Sequence, residues 1–597
     1  MFAAFASVRQ SDVTGLKARW CAQQPVSASK AVWSDDCFSA WVDHASDHSL
    51  VVGDVIAAAG VARLDHFDTL DGREAPTTFG PGLKDIVSTC DETHSFEFKR
   101  MIGEFALVLW NRKTRELIAA RDPLGVMSLY YQAGSGNICV SDRLEGFERH
   151  GTYDEEFIAD FIASKGCYFD RTIWFGILPL PLGVMLVWRD GRVHLHRYWS
   201  PETLESLERM ELNEAGYEFR RLLESAVLRC LNPGAQTWAH LSGGLDSSSV
   251  VSTAAVLNER GVTDKRLGGT ITLTDSLGNA DESDFADAVV RRFNLHNERV
   301  ADDWPWRSDG APPPLTDQPA RDYPFYTRDR LMARIITDHG GTALLSGVGP
   351  DHCLPVTSYH MPDLIWTGRF GEGARELYRW TIATRDSLWR VTFRHMLAPL
   401  LAPRWYALRE VHGSEVPAWI TANFAARCDF HHRLAAQHDP GKRGRFYQSA
   451  SRRSLSRIAC WLPAWFDLPG INTRHPFLYL PLVEFCLRLS YRLRTDACQS
   501  KPVLRAAMNG VLPEKVRQRF TKGMLDPRIC WALGKERQQL SRLLAGSVLA
   551  DLGCIEPKRA LAEVDSHATG VGGNAGFLYP MLSLETWLST RSGRCGV

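Results

Sequence analysis

The chain has 597 residues, and its 69 Lys and Arg residues balance its 69 Asp and Glu residues. This length exceeds what a single hydrophobic core usually organises, so we expect two or three domains. The balanced charge argues against a generally basic nucleic-acid-binding protein. The 14 cysteines include no C-x-x-C pair, which is typical of reduced thiols in a cytoplasmic protein. We expect neither a membrane span nor a signal peptide, because no apolar run has the required length or order.

Residues 51–199 are predicted to form short strands separated by turns. Apolar runs at 105–110, 129–131 and 184–188 carry this prediction. The segments 103–110, 120–125 and 129–131 resemble the core of the N-terminal amidotransferase domain of glutamine-dependent asparagine synthetase. The resemblance implies a glutaminase-like (Ntn-type) sandwich of two antiparallel sheets with flanking helices.

One position in this half departs from that family. The family's nucleophile is a cysteine directly after the initiator methionine, whose own amine serves as the base. Here Phe2 occupies that position, and the first cysteine is Cys21. We therefore expect residues 1–205 to form a degenerate glutaminase-like domain without a nucleophile, retained as a scaffold and interface.

The second half begins with a helical pattern at 211–231 and then carries the most informative motif of the chain. Residues 237–257 predict a buried strand, a glycine turn and a helix. Paired glycines let the backbone approach an anion, and the amides at a helix start favour negative charge. The turn resembles the PP-loop of ATP pyrophosphatases, which split ATP into AMP and pyrophosphate. The alternative is a helix cap without a ligand. The predicted ATP-binding residues of this loop are Leu241, Ser242, Gly243, Gly244, Asp246, Ser247 and Ser248.

Two further strands follow, at 269–274 and 343–345, with a helix ending near Asn294 between them. Alternating strands and helices predict a parallel α/β sheet, which binds ligands at its carboxyl edge. Thr272, Ser346 and Gly347 lie at that edge and complete the predicted ATP site. Two carboxylates, Asp246 and Asp351, suit Mg²⁺ bound together with phosphate oxygens. For the second loop, a plain surface turn is the alternative.

The segment 344–351 resembles the "L-L-S-G-x-G-x-D" motif of the asparagine synthetase superfamily, and segments 474–485 and 501–523 follow in family order. The resemblance implies an ATP-dependent synthetase domain at 206–597 with a helical insertion at about 355–460. Lys522 matches the position of the family lysine that contacts phosphate, and Lys501 is a second candidate catalytic lysine. An ordinary solvated lysine is the alternative for both.

The acyl acceptor is predicted from the positions at which this sequence differs from the family motifs. Val348 replaces a glutamate of asparagine synthetase and a tyrosine of β-lactam synthetase, and it can play neither role. This favours the lasso-peptide cyclases, which join the amine of a leader-less precursor core peptide to an internal Asp or Glu side chain. His352 is a candidate base, with a structural hydrogen bond as the alternative. A leader peptidase is the expected partner. A small-molecule synthetase and a non-catalytic peptide-binding module remain the other hypotheses.

Overall fold

A computed structural model describes residues 1–8, 30–43, 49–67, 82–93, 98–147, 152–163, 170–231, 236–274, 282–301, 304–401, 416–437, 439, 441–465, 468, 470–520, 526–569, 571 and 576–594. The chain divides into two compact units. The first comprises Met1–Phe157 and Tyr168–Leu204, and the second comprises Ile158–Cys167 and Glu205–Val597.

The first unit contains two six-stranded sheets in which every pairing is antiparallel. The sheet orders are β10-β8-β9-β1-β3-β2 and β12-β11-β7-β6-β5-β4. The strands are β1 Phe2–Ser7, β2 Lys30–Ser34, β3 Phe38–Asp43, β4 Ser49–Val52, β5 Ile56–Phe67, β6 Met101–Asn111, β7 Glu116–Arg121, β8 Tyr130–Ala133, β9 Asn137–Ser141, β10 Leu178–Pro179, β11 Val184–Arg189 and β12 Arg192–Arg197.

Strand β6 shows why this sequence forms a sandwich. Successive side chains of a strand point to opposite faces, and β6 is apolar on both. Ala106, Val108 and Trp110 join a core shared with β1 and β3 of the other sheet. Phe105 and Leu107 pack on the opposite face, in a cluster that includes residues of helix α1 (Leu83–Thr93). The predicted glutaminase-like sandwich is confirmed.

The second unit is built on a parallel five-stranded sheet of order β15-β14-β13-β16-β17. The first of these strands in the sequence, β13, lies at the centre of the sheet. The next two, β14 and β15, lie on one side of it, and β16 and β17 lie on the other. This confirms the predicted α/β architecture. The strands are β13 Gln236–His240, β14 Leu267–Leu273, β15 Asn297–Val300, β16 Gly341–Leu345 and β17 Asn472–Arg474.

Helices flank this sheet and fill the long crossover between β16 and β17. None of the described helices is long and apolar enough to cross a membrane. Among the described residues, the remaining α-helices are α2 Glu155–Ala163, α3 Leu212–Cys230, α4 Leu245–Glu259, α5 Ser283–Phe293, α6 Tyr326–Asp338, α7 Pro350–Cys353, α8 His360–Trp366, α9 Phe370–Thr384, α10 Leu388–Val391, α11 Ala398–Leu401, α12 Ala422–Arg427, α13 Phe430–Gln437, α14 Phe446–Trp465, α15 Leu480–Arg488, α16 Tyr491–Arg494, α17 Pro502–Ala507, α18 Glu514–Arg517, α19 Asp526–Lys535, α20 Arg537–Ala545, α21 Val548–Asp551, α22 Pro557–Ala568 and α23 Leu578–Arg591.

Candidate active site

The PP-loop connects the carboxyl end of β13 to the start of α4. Gly243 adopts φ +78°, a left-handed conformation that favours glycine, and a Cβ there would lie 2.6 Å from the carbonyl oxygen of Glu282. Gly244 is the N-cap of α4 and offers no capping side chain. The first amides of α4 therefore lie at a turn whose backbone an anion can approach closely.

Serine hydroxyls hold the loop in shape. The Ser247 hydroxyl accepts from the amide of Ser242 at 3.1 Å and lies 2.9 Å from the Ser242 hydroxyl. The Ser242 hydroxyl also accepts from the amide of Gly244 at 3.2 Å. Behind the loop, Thr272 donates to the carbonyl of Leu241 at 2.8 Å. Thr272 and Ser248 are both buried, so these two predicted ATP-site side chains lie behind the loop and not on its open surface.

The second predicted loop lies directly beside the first, because β13 and β16 are neighbours. A Cβ on Gly347 would lie 2.6 Å from the amide nitrogen of Ser247, so the two loops touch backbone to backbone. Ser346 is buried, and its hydroxyl lies 2.6 Å from Nδ1 of His475. Burial lowers the pKa of His475 to about 4, which keeps this pair neutral near pH 7.

Lys501 joins the two loops electrostatically. Its ammonium lies 2.5 Å from Oδ2 of Asp246 and 2.7 Å from Oδ1 of Asp351. The lysine is buried, at 6 % exposure, so the alternative of a solvated surface lysine is wrong. Burial opposes its charge, but the two carboxylates outweigh that effect and raise the pKa of Lys501. Lys501 is therefore a fixed positive charge at the edge of the PP-loop.

The same two carboxylates are chemically suited to a magnesium ion. Both are close enough to one cation to share it, and Mg²⁺ is held in proteins by one or two carboxylates together with phosphate oxygens. A carboxylate has two oxygens, so contact with Lys501 through one of them is compatible with metal binding through the other. Asp246 and Asp351 are thus the residues that would hold Mg²⁺.

Helix α14 positions the segment that carries Asp351. The carbonyl of Ser454 accepts from Nδ1 of His352 at 2.9 Å, which leaves the lone pair of this imidazole on Nε2. Arg494 donates to the carbonyl of Cys353 at 2.9 Å and to the hydroxyl of Ser451 at 3.0 Å. Burial lowers the pKa of His352, so the ring is neutral near pH 7. His352 therefore makes a structural hydrogen bond, which is the alternative role that the sequence left open for it.

Sequence reasoning missed Arg519. Its guanidinium donates to the carbonyl of Gly243 at 3.3 Å and to Glu282 at 2.5 Å, and it stacks 4.2 Å from the ring centre of Phe285. It therefore clamps the PP-loop to the start of α5. The signal was the family-like pattern around 512–523, in which only the following lysine was considered. That lysine, Lys522, lies outside the described residues, so its predicted role stays a prediction.

In the first unit, Phe2 is fully buried in β1, and its amide donates to Asp142 at 2.8 Å. Its side chain belongs to the apolar core between the two sheets. The described cysteines of this unit, Cys37 and Cys139, are buried as well. The position that the resemblance assigns to a nucleophile is therefore occupied by a core side chain.

The fold and the site define a two-unit α/β protein with a PP-loop and a facing pair of carboxylates. The profile of the asparagine synthase family matches residues 218–589, more than half of the chain, and a glutamine amidotransferase domain matches residues 86–199. The chain belongs to the asparagine synthase family. It is thus an amide-forming synthetase of that type, in a family that uses ATP, typically with Mg²⁺.

Three relatives illustrate how the similarity is distributed. The amidase chry2 of Gibberella zeae is 23% identical over 76% of this chain and 74% of its own length. A putative glutamine-hydrolyzing asparagine synthetase of Mycobacterium bovis is 28% identical over 28% of this chain and 27% of its own length. The carboxyethyl-arginine beta-lactam-synthase of Streptomyces clavuligerus is 25% identical over 43% of this chain and 49% of its own length.

We predict that Gly347→Ala weakens ATP binding at least roughly tenfold, because overpacking at a backbone contact forces the two loops apart. The added methyl group would meet the Ser247 backbone at 2.6 to 2.7 Å. Isothermal titration calorimetry with Mg-ATP measures the effect. Gly371→Ala is the matched control, because a Cβ at this glycine of helix α9 meets nothing within 4 Å. Unchanged ATP affinity in Gly347→Ala would contradict the described packing.

Proposed function

We propose that the chain activates a carboxylate as its acyl-adenylate, releases pyrophosphate, and then passes the acyl group to an amine. The observation that carries this proposal is the buried Lys501 ammonium between Asp246 and Asp351, beside the PP-loop. Adenylation converts a poor leaving group into AMP, and the step is limited by charge repulsion between the carboxylate and the triphosphate. A fixed positive charge in a water-poor site lowers that barrier.

Each residue of the site has a role in this reaction. The first amides of α4 are proposed to bind phosphate oxygens, and Gly243 and Gly347 permit the close loop packing that holds those amides in place. Lys501 stabilises the negative charge that develops on the departing pyrophosphate. Asp246 and Asp351 would hold Mg²⁺, which supplies further charge neutralisation when it is bound. Lys522 is proposed to add a second positive charge to the phosphate side.

We further propose that the acyl acceptor is a peptide amine, so that the product is a macrolactam ring of the lasso-peptide type. The half-buried Val348 offers neither a carboxylate nor a phenol for a small amine at this position. The neutral His352, with its lone pair on Nε2, is the proposed base for the peptide amine. The substrate is then the precursor core peptide, freed of its leader by a peptidase partner.

The helices that follow the second loop support a large acceptor. Helices α8, α9 and α10 carry four aromatic side chains that are each more than half exposed: Trp366, Phe370, Tyr378 and Trp389. Exposed aromatic side chains in such number are typical of surfaces that bind another chain. Trp419, by contrast, is fully buried and contributes to packing.

A small-molecule synthetase is the second candidate. It is favoured by the similarity to the carboxyethyl-arginine beta-lactam-synthase and to putative asparagine synthetases. In either case we propose that the first unit is a scaffold that does not hydrolyse glutamine. Its buried Phe2 supports that view.

The product assay separates these candidates. We expect the full chain with Mg-ATP to release AMP and to remove one water from a leader-less precursor peptide, as seen by intact-mass spectrometry. Asp351→Asn should abolish both products, and Asp190→Asn, at a fully solvated aspartate of the first unit, should not. Amide formation on free aspartate with ammonia, without change in the peptide, would instead support the small-molecule synthetase.

We predict that Lys501→Met lowers kcat/KM for AMP formation by roughly 100-fold or more, because a positive charge that faces the developing pyrophosphate is lost. Lys515→Met is the matched control, since that lysine is half-exposed and contacts the solvated Asp284 and the ring of Phe285, but neither Asp246 nor Asp351, in the part of the chain that the structure describes. Thermal unfolding of both variants separates a catalytic loss from unfolding. Full AMP formation by a folded Lys501→Met protein would refute the assigned role.

We predict that Trp389→Ala raises the KM for the peptide roughly tenfold and leaves kcat nearly unchanged, as expected for loss of a binding contact. Trp389 is 72% exposed, and the control Phe175→Ala removes a 69% exposed aromatic ring of the first unit. Steady-state kinetics with the precursor peptide provides the comparison. Equal effects of the two variants would argue that Trp389 does not bind the peptide.

A further inference from the structure

Three potential metal ligands meet at the amino edge of the parallel sheet, away from the PP-loop. His296 precedes β15, Glu298 lies within it, and His339 directly follows α6 and precedes β16. One ligand atom from each residue lies within 4.8 Å of the others. Oε1 of Glu298 is 3.0 Å from Nε2 of His296 and 3.9 Å from Nε2 of His339.

Both imidazoles are positioned by a buried tryptophan. Trp238 of β13 is fully buried, and its ring centre lies 5.6 Å from that of His296 and 5.3 Å from that of His339. The indole fits because Gly269 and Gly341 carry no Cβ, which would approach its ring atoms to 2.7 and 2.6 Å. Contact with the buried Trp238 ring limits the rotamers that both histidines can adopt, which favours their present positions in the absence of an ion.

The hydrogen bonding of His339 also prepares it for a metal. Its Nδ1 lies 2.8 Å from the carbonyl of Ile335. A carbonyl only accepts, so Nδ1 carries a proton, and the neutral tautomer that can bind a metal has its lone pair on Nε2, 3.9 Å from Oε1 of Glu298. Histidines that bind metals in proteins commonly donate their second ring N–H to a backbone carbonyl in this way.

We propose that His296, Glu298 and His339 form a zinc site with a fourth position for water. Zinc bonds to His and Glu of roughly 2.0–2.2 Å in tetrahedral geometry place ligand atoms about 3.3 Å apart, which the present separations match after small movements. Two imidazoles and one carboxylate favour zinc over Mg²⁺ or Ca²⁺, which prefer oxygen ligands. The site cross-links the end of α6 to the edge strand β15. It is independent of the proposed synthetase reaction, because it lies at the opposite edge of the sheet.

The test uses the full chain, freed of metal with a chelator and titrated with Zn²⁺ alone. We expect one zinc per chain by equilibrium dialysis and mass spectrometry of the metal, together with a rise of several degrees in the unfolding temperature. Co²⁺ in place of Zn²⁺ should give the visible absorption of a tetrahedral site. His339→Gln and Glu298→Gln should each weaken zinc binding at least about tenfold and remove the thermal shift.

The double variant His194→Gln/His196→Gln is the matched control. These two histidines are exposed on β12 with ring centres 6.5 Å apart, so they test for non-specific zinc binding by surface histidines. We expect this control to bind zinc as the unmodified chain does. Zinc binding that survives His339→Gln, that is lost in the control, or that is absent from the unmodified chain would overturn the proposal. Unchanged melting of the metal-free variants shows that the substitutions leave the fold intact.

Discussion

The contact of Lys501 with Asp246 and Asp351 is the interaction on which the site depends. It unites three segments: the PP-loop helix, the short helix α7 and the start of α17. Each of these groups would be costly to bury alone, and removing one charge of such a set leaves the others uncompensated.

The backbone conformation of Lys501 is also unusual. Lys501 adopts φ +56° directly before a proline, a left-handed conformation that costs of order 1–3 kcal/mol for a residue with a side chain. The surrounding ion pairs and helix α17 hold it there.

The sheet explains why these charges can meet at all. Because β13 is central, the loops that follow it and β16 emerge side by side at one edge. The helical crossover between β16 and β17 returns to this edge with Ser454, which accepts from His352 of α7, and Arg494, which follows β17, donates to Cys353 of the same helix. The same crossover carries the exposed aromatic rings.

Local sequence patterns were sufficient to predict the fold class and the two loops at the carboxyl edge of the parallel sheet. The strand, glycine turn and helix around Gly243, the parallel sheet and the apolar strand at 105–110 follow from local sequence patterns, and each is confirmed. The burial of Lys501 could not be predicted in this way, because its partner Asp246 is 255 positions distant. A lysine at a helix start is exposed in most proteins, and only the folded chain shows that this one lies over two carboxylates. The clamp by Arg519 was missed for the same reason, since its partners Gly243 and Glu282 are distant in the sequence.

Strand β13 also links the two edges of the sheet. Its carboxyl end leads into the PP-loop, and its Trp238 ring supports the two histidines at the amino edge. A core tryptophan in a parallel sheet needs space from its neighbours, and here glycines of β14 and β16 provide it. Those glycines weaken their own strands, because each lacks a side chain to pack and has more conformational freedom to lose on folding. A cross-link from α6 to β15 would connect elements that adjoin these two strands, because β15 pairs with β14 and α6 leads into β16. The weakened strands are the two that flank β13, the strand that leads into the PP-loop, so a cross-link at the amino end of the sheet would stabilise the strands beside that loop.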